Sequence, residues 1–500
     1  KMLEGAVKSI SSAMGALIIL LLIGSLAGTW MLSGIVPTMI YYGMDILSPS
    51  IFLVATCVIC AIVSLATGSS WSTIATIGIA MLGIGSALGI SEGWIGGAII
   101  SGAYFGDKMS PLSDTTNLAP AMAGTDLISH IKYMTWTTVP SISITLLIFL
   151  IKGFLLEGNE DQLGQISAIQ DALSSTYNIN LWTLLVPLIV VVMIIKKIPA
   201  IPALFFGTLL GGVFAVIFQS DLIKEYGSQT SIEISSQIPS NSIIKFLPQE
   251  TNIDDIAPGD YEILLIDTVN NKSISDHFTI EDYNSDQYNL ESLFYLNNTA
   301  LNYQVKRNGY LKSSYIAVMN SMTIDFIVDT GNSNVNKLIE TNGMAGMLGT
   351  IWLIICAMSF GGIMETTGFL SKITMSLMFF IKSRKSLVLT TSGTCLFLNV
   401  TASDQYLAIV IPGRMFANTY KKYGLDPKNL SRTLEDSATV TSPLVPWNTC
   451  GAYHSGVLGV ATITYLPYCF FNLISPIMTI LFAYASIKIA KLKSTDEIAN

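Results

Sequence analysis

The feature that most constrains this chain is a series of long apolar stretches without a charged residue. Residues 9–30, 182–195, 387–403 and 463–486 contain no Asp, Glu, Lys or Arg. A helix needs about 20 apolar residues to cross a bilayer. The chain is 51% hydrophobic and only 12% charged, whereas a soluble domain carries roughly 25% charged residues. We therefore predict an all-α polytopic membrane protein with roughly 10–12 transmembrane or re-entrant helices.

Polar segments divide the chain into five predicted parts. These are a first membrane repeat (1–156), a connecting loop with two helices (157–220), a polar acidic segment (221–341), a second membrane repeat (342–490) and a tail (491–500). The acidic segment holds 17 acidic and seven basic residues. Strand-like runs at 261–267 and 277–280, with turn residues at 258–260 and 270–271, predict a small extramembranous β-rich insert at about 228–308. A disordered loop is the alternative.

Basic residues indicate the orientation, because Lys and Arg are in excess in cytoplasmic loops. On the predicted cytoplasmic side lie Lys1, Lys8, Lys132, Lys196, Lys197, Lys382, Arg384, Lys385, the run 421–432, and Lys488, Lys491 and Lys493. The protein is then expected in the cell (inner) membrane, with the loop 157–180 and the segment 221–341 on the extracytoplasmic side. The excess of acidic residues belongs to the segment 221–341 and carries no information about nucleic acid. We expect no nucleic-acid partner. The chain opens on a charged turn without an initiator Met, and we expect an upstream portion to be missing.

The two membrane blocks share spaced features that predict an internal repeat. Gly34 matches Gly368 and Thr67 matches Thr401, while Ser-Pro-Leu at 110–112 matches Ser-Pro-Leu at 442–444. On the predicted topology the first helices of the two blocks run in opposite directions. The repeat is then inverted, an architecture common among secondary transporters. Chance similarity between Gly- and Ser-rich membrane segments is the alternative.

The first polar interruption of the membrane helices spans residues 101–120. It contains two carboxylates, Asp107 and Asp114, together with Lys108, Thr115 and Asn117. Irregular backbone at membrane depth is tolerated only where it faces protein or a water-filled cavity, and ionisable residues there are candidates for function. We predict that the two carboxylates, Thr115 and Asn117 bind ions or protons. A solvated loop is the alternative.

A second pair of interruptions carries small oxygen-bearing side chains. Residues 65–71 include Thr67, Ser69 and Ser70, and the matching residues 399–405 include Thr401, Ser403 and Asp404. Hydroxyl and carboxylate oxygens suit a hard cation such as Na⁺. Small hydroxyl side chains also hold membrane helices together, which is the alternative for the first group.

The third interruption spans residues 435–449 and is the repeat partner of the first. Asn448 is a further predicted ion ligand. Glu435 and Asp436 follow the basic run that ends at Arg432, so a gate or salt bridge at the cytoplasmic mouth is predicted, and the alternative is a ligand role. Lys108, Glu365 and Arg414 are further gate or salt-bridge candidates. The alternative for Glu365 is a helix cap, and the alternative for Arg414 is pairing with an acid or snorkelling to the interface.

Several function classes are excluded by missing motifs. The sequence has no P-loop, no nucleophile elbow and only three histidines, which are spread along the chain. We therefore predict a transporter driven by an ion gradient, not an enzyme, with no cofactor and no metal beyond transported Na⁺.

Four motifs resemble the NhaC family of Na⁺/H⁺ antiporters, within a larger ion-transporter superfamily. They are Gly-Asp-Lys-Met-Ser-Pro-Leu-Ser-Asp-Thr-Thr-Asn-Leu-Ala-Pro at 106–120 and the stretches at 64–71, 404–414 and 434–451. The resemblance covers nearly all of both membrane blocks but not the insert. It implies exchange of Na⁺, with Li⁺ as a further candidate, for H⁺. Some relatives resemble malate-for-lactate or amino-acid exchangers, so an organic-substrate exchanger is the alternative.

The predicted mechanism is competition of cation and protons for buried carboxylates, with alternating access. The expected partners are Na⁺, H⁺ and the lipid bilayer. Carriers of this kind commonly form homodimers, and the sequence leaves the oligomeric state open.

Overall fold

The computed structural model describes residues 1–156, 161–196, 198–223, 229–230, 259–267, 272–280, 301–308, 310–324 and 326–492. Several predictions fall partly or wholly outside these residues. They concern the loop acids Glu157 and Glu160, the basic residues Lys197 and Lys493, and the turns at 258 and 270–271.

Helices make up nearly all of the described first half. They are α1 (Met2–Leu32), α2 (Ile35–Ile46), α3 (Pro49–Thr67), α4 (Ser70–Thr73), α5 (Ile79–Ala87), α6 (Glu92–Met109), α7 (Asp114–Ala123), α8 (Leu127–Phe154), α9 (Asp161–Thr176), α10 (Leu185–Ile195) and α11 (Ala200–Phe218). A π-helical turn, Ile74–Gly78, joins α4 to α5, and a 3₁₀ turn, Leu181–Leu184, precedes α10.

The segment predicted as a connecting loop contains helix α9. Its buried side chains include Ile169 and Leu173, followed by Tyr177 directly after the helix. These residues recur every four positions, which is the spacing of one helix face. The acidic residues in this stretch predicted a polar loop. That prediction is wrong for Asp161–Thr176, because apolar side chains recur there at helical spacing and form the buried face of α9.

The chain divides into two compact units, of which one comprises Lys1–Gly211 with Ser321–Asn500 and the other Gly212–Asn320. The second unit contains four described strands. They are β1 (Gln229–Thr230), β2 (Gly259–Asp267), β3 (Lys272–Ile280) and β4 (Leu301–Asn308), which form an antiparallel sheet in the order β1-β4-β2-β3.

The second half returns to helices. They are α12 (Tyr310–Thr323), α13 (Ser333–Ile339), α14 (Leu348–Thr366), α15 (Phe369–Leu377), α16 (Arg384–Thr401), α17 (Gln405–Lys422), α18 (Pro427–Leu434), α19 (Thr449–Leu458), α20 (Thr462–Tyr465) and α21 (Phe470–Tyr484). A π-helical turn, Glu435–Thr439, continues α18, and the 3₁₀ turn Ser442–Leu444 lies between it and α19.

Left-handed residues interrupt the helices at related places in both halves. Gly34 (φ 75°) precedes α2 and Gly368 (φ 82°) precedes α15. Gly68 (φ 70°) ends α3, whereas Ser403 (φ 59°) lies between α16 and α17. Glycine adopts this conformation without a steric penalty, and serine adopts it at a cost.

Six described helices are long and apolar enough to cross a membrane, and two bent helix pairs raise the number to eight if each pair is one span. The six are Met2–Leu32, Pro49–Thr67, Ser70–Ala87, Leu127–Phe154, Ala200–Phe218 and Ala345–Thr366. This is fewer than the 10–12 predicted. Helices such as α6 and α17 each carry three charged residues in 18 and are too polar to qualify. The mostly helical, multi-span architecture agrees with the prediction.

Helices α3 and α6 pack with their backbones in close contact. A Cβ atom on Gly102 would lie 2.1 Å from the carbonyl oxygen of Cys57, and one on Gly106 would lie 2.3 Å from that of Ala61. Small residues allow membrane helices to approach this closely. The contact fixes the end of α6, where the charged residues of the first interruption begin.

Candidate functional site

A cavity of about 340 Å³ lies where the interrupted helices meet. Its wall includes three carboxylates, from Asp107 near the end of α6, Asp114 at the start of α7 and Asp404 directly before α17. Asp107 and Asp404 are each 8% exposed, whereas Asp114 is exposed. Acidic side chains from both halves of the chain therefore reach one cavity.

The interruption between α3 and α4 holds the Asp107 carboxylate. Asp107 Oδ2 accepts a hydrogen bond of 2.6 Å from the Ser70 hydroxyl and one of 3.1 Å from the Ser70 backbone N–H. Ser69 lines the cavity and caps α4, because its hydroxyl oxygen accepts a bond of 3.2 Å from the Ser72 N–H. The turn at Gly68 thus supplies two donors to the carboxylate.

The interruption between α16 and α17 positions Asp404 in a similar way. Asp404 caps α17, since its Oδ1 accepts a hydrogen bond of 2.9 Å from the Leu407 N–H. The preceding Ser403 is buried in the left-handed conformation, which costs a non-glycine residue roughly 1–2 kcal/mol. Its carbonyl accepts a bond of 3.0 Å from the Thr449 N–H, and this contact with α19 helps to hold the strained turn.

Neutral oxygens and aromatic rings complete the wall. Thr115, Gln405 and Thr449 lie on it, and Trp71 stacks on Tyr453 with ring centroids 4.0 Å apart. Among the described residues, no three His, Cys, Asp or Glu side chains come close enough together to hold one metal ion. A cation in this cavity would therefore be bound by carboxylate together with hydroxyl, amide or carbonyl oxygens, which is the ligand set of hard cations.

Glu435 lies behind the cavity wall and is fully buried. Its Oε1 accepts a hydrogen bond of 3.0 Å from the Thr115 hydroxyl. Its Oε2 has no hydrogen-bond partner among the described residues, and neither does the Thr439 hydroxyl one turn later in the π-helical turn. A wall residue therefore links the cavity to a buried carboxyl group.

Lys108 and Asp436 form an ion pair that is wholly buried. Asp436 also accepts hydrogen bonds from the hydroxyls of Thr137, Ser475 and Thr479. The Lys108 ammonium donates a further bond of 3.0 Å to Ser475. The two charges thus compensate each other, and hydroxyl groups on α8 and α21 complete their hydrogen bonding. None of these residues lines the cavity.

Comparison with known proteins gives a consistent result. A model of the Na⁺/H⁺ antiporter family matches residues 102–241 and 297–487. The chain is 36% identical to the Na(+)/H(+) antiporter NhaC of Alkalihalophilus pseudofirmus, over 95% of this chain and 83% of that protein.

The chain belongs to the Na⁺/H⁺ antiporter family.

Two other similar proteins carry different names. The malate-2H(+)/Na(+)-lactate antiporter of Bacillus subtilis is 31% identical over 96% of this chain and 82% of its own length. The arginine/ornithine antiporter ArcD of Halobacterium salinarum is 30% identical over 98% of this chain and 82% of its own length. The family, together with several apolar helices, identifies a multi-pass membrane transporter.

Six predicted ligands do not line the cavity. Two of them, Ser70 and Ser403, are described above, and the other four hold the backbone of the interruptions. Thr67 and Thr401 donate to backbone carbonyls within their own turns. Asn117 donates to the carbonyls of Pro111 and Ser113. Asn448 caps α19 and donates to Asn399, which joins α16 to the third interruption.

Two predicted gate residues also lie elsewhere. Glu365, near the end of α14, and Arg414, in the middle of α17, are exposed and do not belong to the cavity wall. The cavity instead receives residues that the sequence analysis did not select. These include Ser12 and Ala13 of α1, Trp71, Gln405, Tyr406 and Tyr453. Gln405 directly follows a selected residue, but nothing in the apolar sequence of α1 distinguishes its cavity-facing side.

Proposed function

We propose that this protein exchanges Na⁺, with Li⁺ as a further substrate, for H⁺ across the cytoplasmic membrane. One observation carries the proposal above all others: carboxylates from two separate interruptions, one contributing Asp107 and Asp114 and the other Asp404, line a single cavity. Membership in the antiporter family supports the same reading. The cavity supplies negative charge and neutral oxygens, which is what binding of Na⁺ needs.

The mechanism we propose is competition at these carboxylates. Removal from bulk water favours the neutral, protonated form of a carboxyl group, and a nearby cation favours the ionised form. Asp107 is the central ligand, because it lines the cavity and two hydrogen bonds from Ser70 hold its carboxylate in place. A proton and a Na⁺ ion then exclude each other, and alternating access to the two sides couples their movements.

We predict that Asp107→Asn abolishes exchange. The amide cannot take up a proton or neutralise Na⁺, but it keeps the size of the side chain and can accept the Ser70 bonds. Na⁺-driven proton flux measured in proteoliposomes should fall by about 100-fold or more. The matched control is Glu92→Gln, an exposed residue at the start of the same helix, which should retain flux within about twofold. Substantial coupled flux in Asp107→Asn would contradict the site.

An organic-substrate exchanger is the second candidate, because two relatives carry such names. An organic anion would need a positive anchor. Within the described part of the chain, the lining residues include no Lys or Arg, and Lys108 is paired with Asp436. Flux should be compared with Na⁺ alone and with added malate, lactate, arginine or ornithine. A requirement for any of these would replace the first proposal.

We further propose that the two membrane blocks, 1–156 and 342–490, are inverted repeats that rock relative to each other. The left-handed interruptions at Gly34 and Gly368 support the repeat. We also propose that the membrane is the cell (inner) membrane, that the segment 221–341 with its β-rich insert is extracytoplasmic, and that residues 491–500 are cytoplasmic. A homodimer remains a proposal to be tested by light scattering.

A further inference from the structure

We propose that Glu435 is a proton-binding residue of the transport cycle, connected to the cavity through Thr115 and separate from the carboxylates that contact the cation. The inference rests on the proposed Na⁺/H⁺ exchange and deepens it. It adds a second proton-binding carboxyl group to the competition at Asp107, and the hydroxyl group of Thr115 links this carboxyl group to the cavity.

The contrast between two neighbouring carboxylates carries the first step. Asp436 is surrounded by four donors, the ammonium of Lys108 and the hydroxyls of Thr137, Ser475 and Thr479. Glu435 receives one hydrogen bond, and its Oε2 receives none among the described residues. A permanently charged buried carboxylate is normally paired and hydrogen-bonded. Asp436 satisfies that rule and Glu435 does not.

The charges near Glu435 support the second step. Lys108 and Asp107, both on α6, interact with it electrostatically, and Lys108 is already paired with Asp436. An uncompensated charge in a buried environment is strongly unfavourable. A proton on Glu435 removes that charge, and this is the state that the proposal assigns to this conformation. The Thr439 hydroxyl, which also lacks a partner within hydrogen-bond distance in the described part of the chain, interacts with the Glu435 carboxyl group.

The third step is a route for the proton. The Ser113 and Thr115 hydroxyls lie 3.1 Å apart and both line the cavity. Thr115 Oγ1 lies 3.0 Å from Glu435 Oε1. The Thr115 oxygen takes a proton from a hydronium ion in the cavity and passes its own to the carboxylate. The hydronium ion becomes water and the carboxylate becomes a carboxylic acid, so no further reactant is needed.

Coupling follows from the positions of the two sites. Asp107 and Glu435 interact electrostatically. A cation bound at Asp107 therefore disfavours protonation of Glu435 through charge repulsion, and a proton on Glu435 disfavours the cation in turn. Exchange of Na⁺ for Na⁺ needs only the cation site. Exchange of Na⁺ for H⁺ needs both.

The test uses Glu435→Gln, which keeps the size of the side chain but cannot carry the exchanged proton. In proteoliposomes, ²²Na⁺ uptake driven by a pH gradient should fall by about 100-fold. Counterflow of ²²Na⁺ against internal Na⁺ at equal pH should stay within about twofold of wild type. Glu92→Gln is the matched control. Equal loss of both modes, or retention of both, would overturn the inference.

A second pair of variants decides the question if Glu435→Gln does not fold. Thr115→Val removes the bridging hydroxyl at nearly the same volume, and Thr115→Ser keeps it. We expect Thr115→Val to slow the pH-driven mode at least tenfold more than it slows counterflow, and Thr115→Ser to restore the pH-driven mode. Equal behaviour of the two variants would overturn the relay. If wild type shows no Na⁺-dependent proton flux, the proposed function itself fails, which is distinct from exchange that persists in Glu435→Gln.

Discussion

At the scale of single residues, the most consequential feature is the buried ion pair of Lys108 and Asp436. Neither side chain is exposed, and every donor and acceptor contact to them comes from within the helix packing. Removing one partner of such a pair leaves an uncompensated charge, whereas replacing both can be nearly neutral. The pair therefore makes the fold sensitive to any change in one member alone.

We predict that Lys108→Met lowers the free energy of unfolding by about 3–5 kcal/mol, because Asp436 then remains buried without its cation. Thermal unfolding of the detergent-solubilised protein measures the effect. The control is Lys428→Met, whose ion pair with Asp426 is partly exposed and has an N–O distance of 3.9 Å, so the loss should be under about 1 kcal/mol. Adding Asp436→Asn to Lys108→Met should recover much of the stability, and a further additive loss would contradict this account.

At the scale of secondary-structure elements, the site is built from helix ends and not from helix faces. Asp107 lies near the end of α6, Asp114 begins α7 and Asp404 precedes α17. The position of each helix end depends on how the rest of that helix is packed. Helix α6 is fixed by backbone contact with α3 at Gly102 and Gly106, so packing far from the cavity determines the position of Asp107.

We predict that Gly102→Ala destabilises the protein by about 1–3 kcal/mol and reduces exchange, because its Cβ would lie 2.1 Å from the Cys57 carbonyl oxygen and would push α6 from α3. Melting temperature and proteoliposome flux both report the change. Gly393→Ala in α16 is the matched control, since a Cβ there meets nothing within 4 Å, and a gain of about 0.5–1 kcal/mol is expected. Equal effects of the two variants would contradict the packing argument.

The sequence predicted which residue types interrupt the helices but not which of their atoms reach the cavity. Asp107, Asp114 and Asp404 stand out because a charge within an apolar segment is conspicuous. Thr67, Thr401 and Asn117 carry the same oxygen types, yet their hydrogen bonds are local. That distinction depends on side-chain rotation and long-range packing. The residues that α1 contributes to the cavity wall, such as Ser12 and Ala13, could not be predicted. They are small residues that nothing in the surrounding apolar sequence distinguishes, and only helix packing places them at the cavity.

At the scale of the whole molecule, part of the strand-containing unit lies outside the match to the family model. The family model matches residues 102–241 and 297–487 and leaves 242–296 unmatched. Among the residues that the structure describes, those that line the cavity all belong to the unit of Lys1–Gly211 and Ser321–Asn500. We therefore expect exchange not to depend on side chains of the unmatched segment.

We predict that replacing residues 242–296 with a short Gly-Ser linker leaves Na⁺-driven proton flux within about twofold of wild type, since flexible linkers tolerate changes in length at small cost. The variant should be compared at equal protein density in the liposomes. Loss of flux from a variant that still unfolds cooperatively would show that the segment takes part in transport.

The distance between Lys108 and Asp436 along the chain has a consequence for how the protein is made. The two residues are 328 positions apart, so the ribosome delivers Lys108 to the membrane well before its counter-charge exists. A lysine within the bilayer costs up to about 2.5–3.5 kcal/mol on insertion scales, the full value applying at a helix centre, and Lys108 lies in the last turn of its helix. The N-terminal half bears this cost until Asp436, in the last third of the chain, is inserted and the ion pair can form.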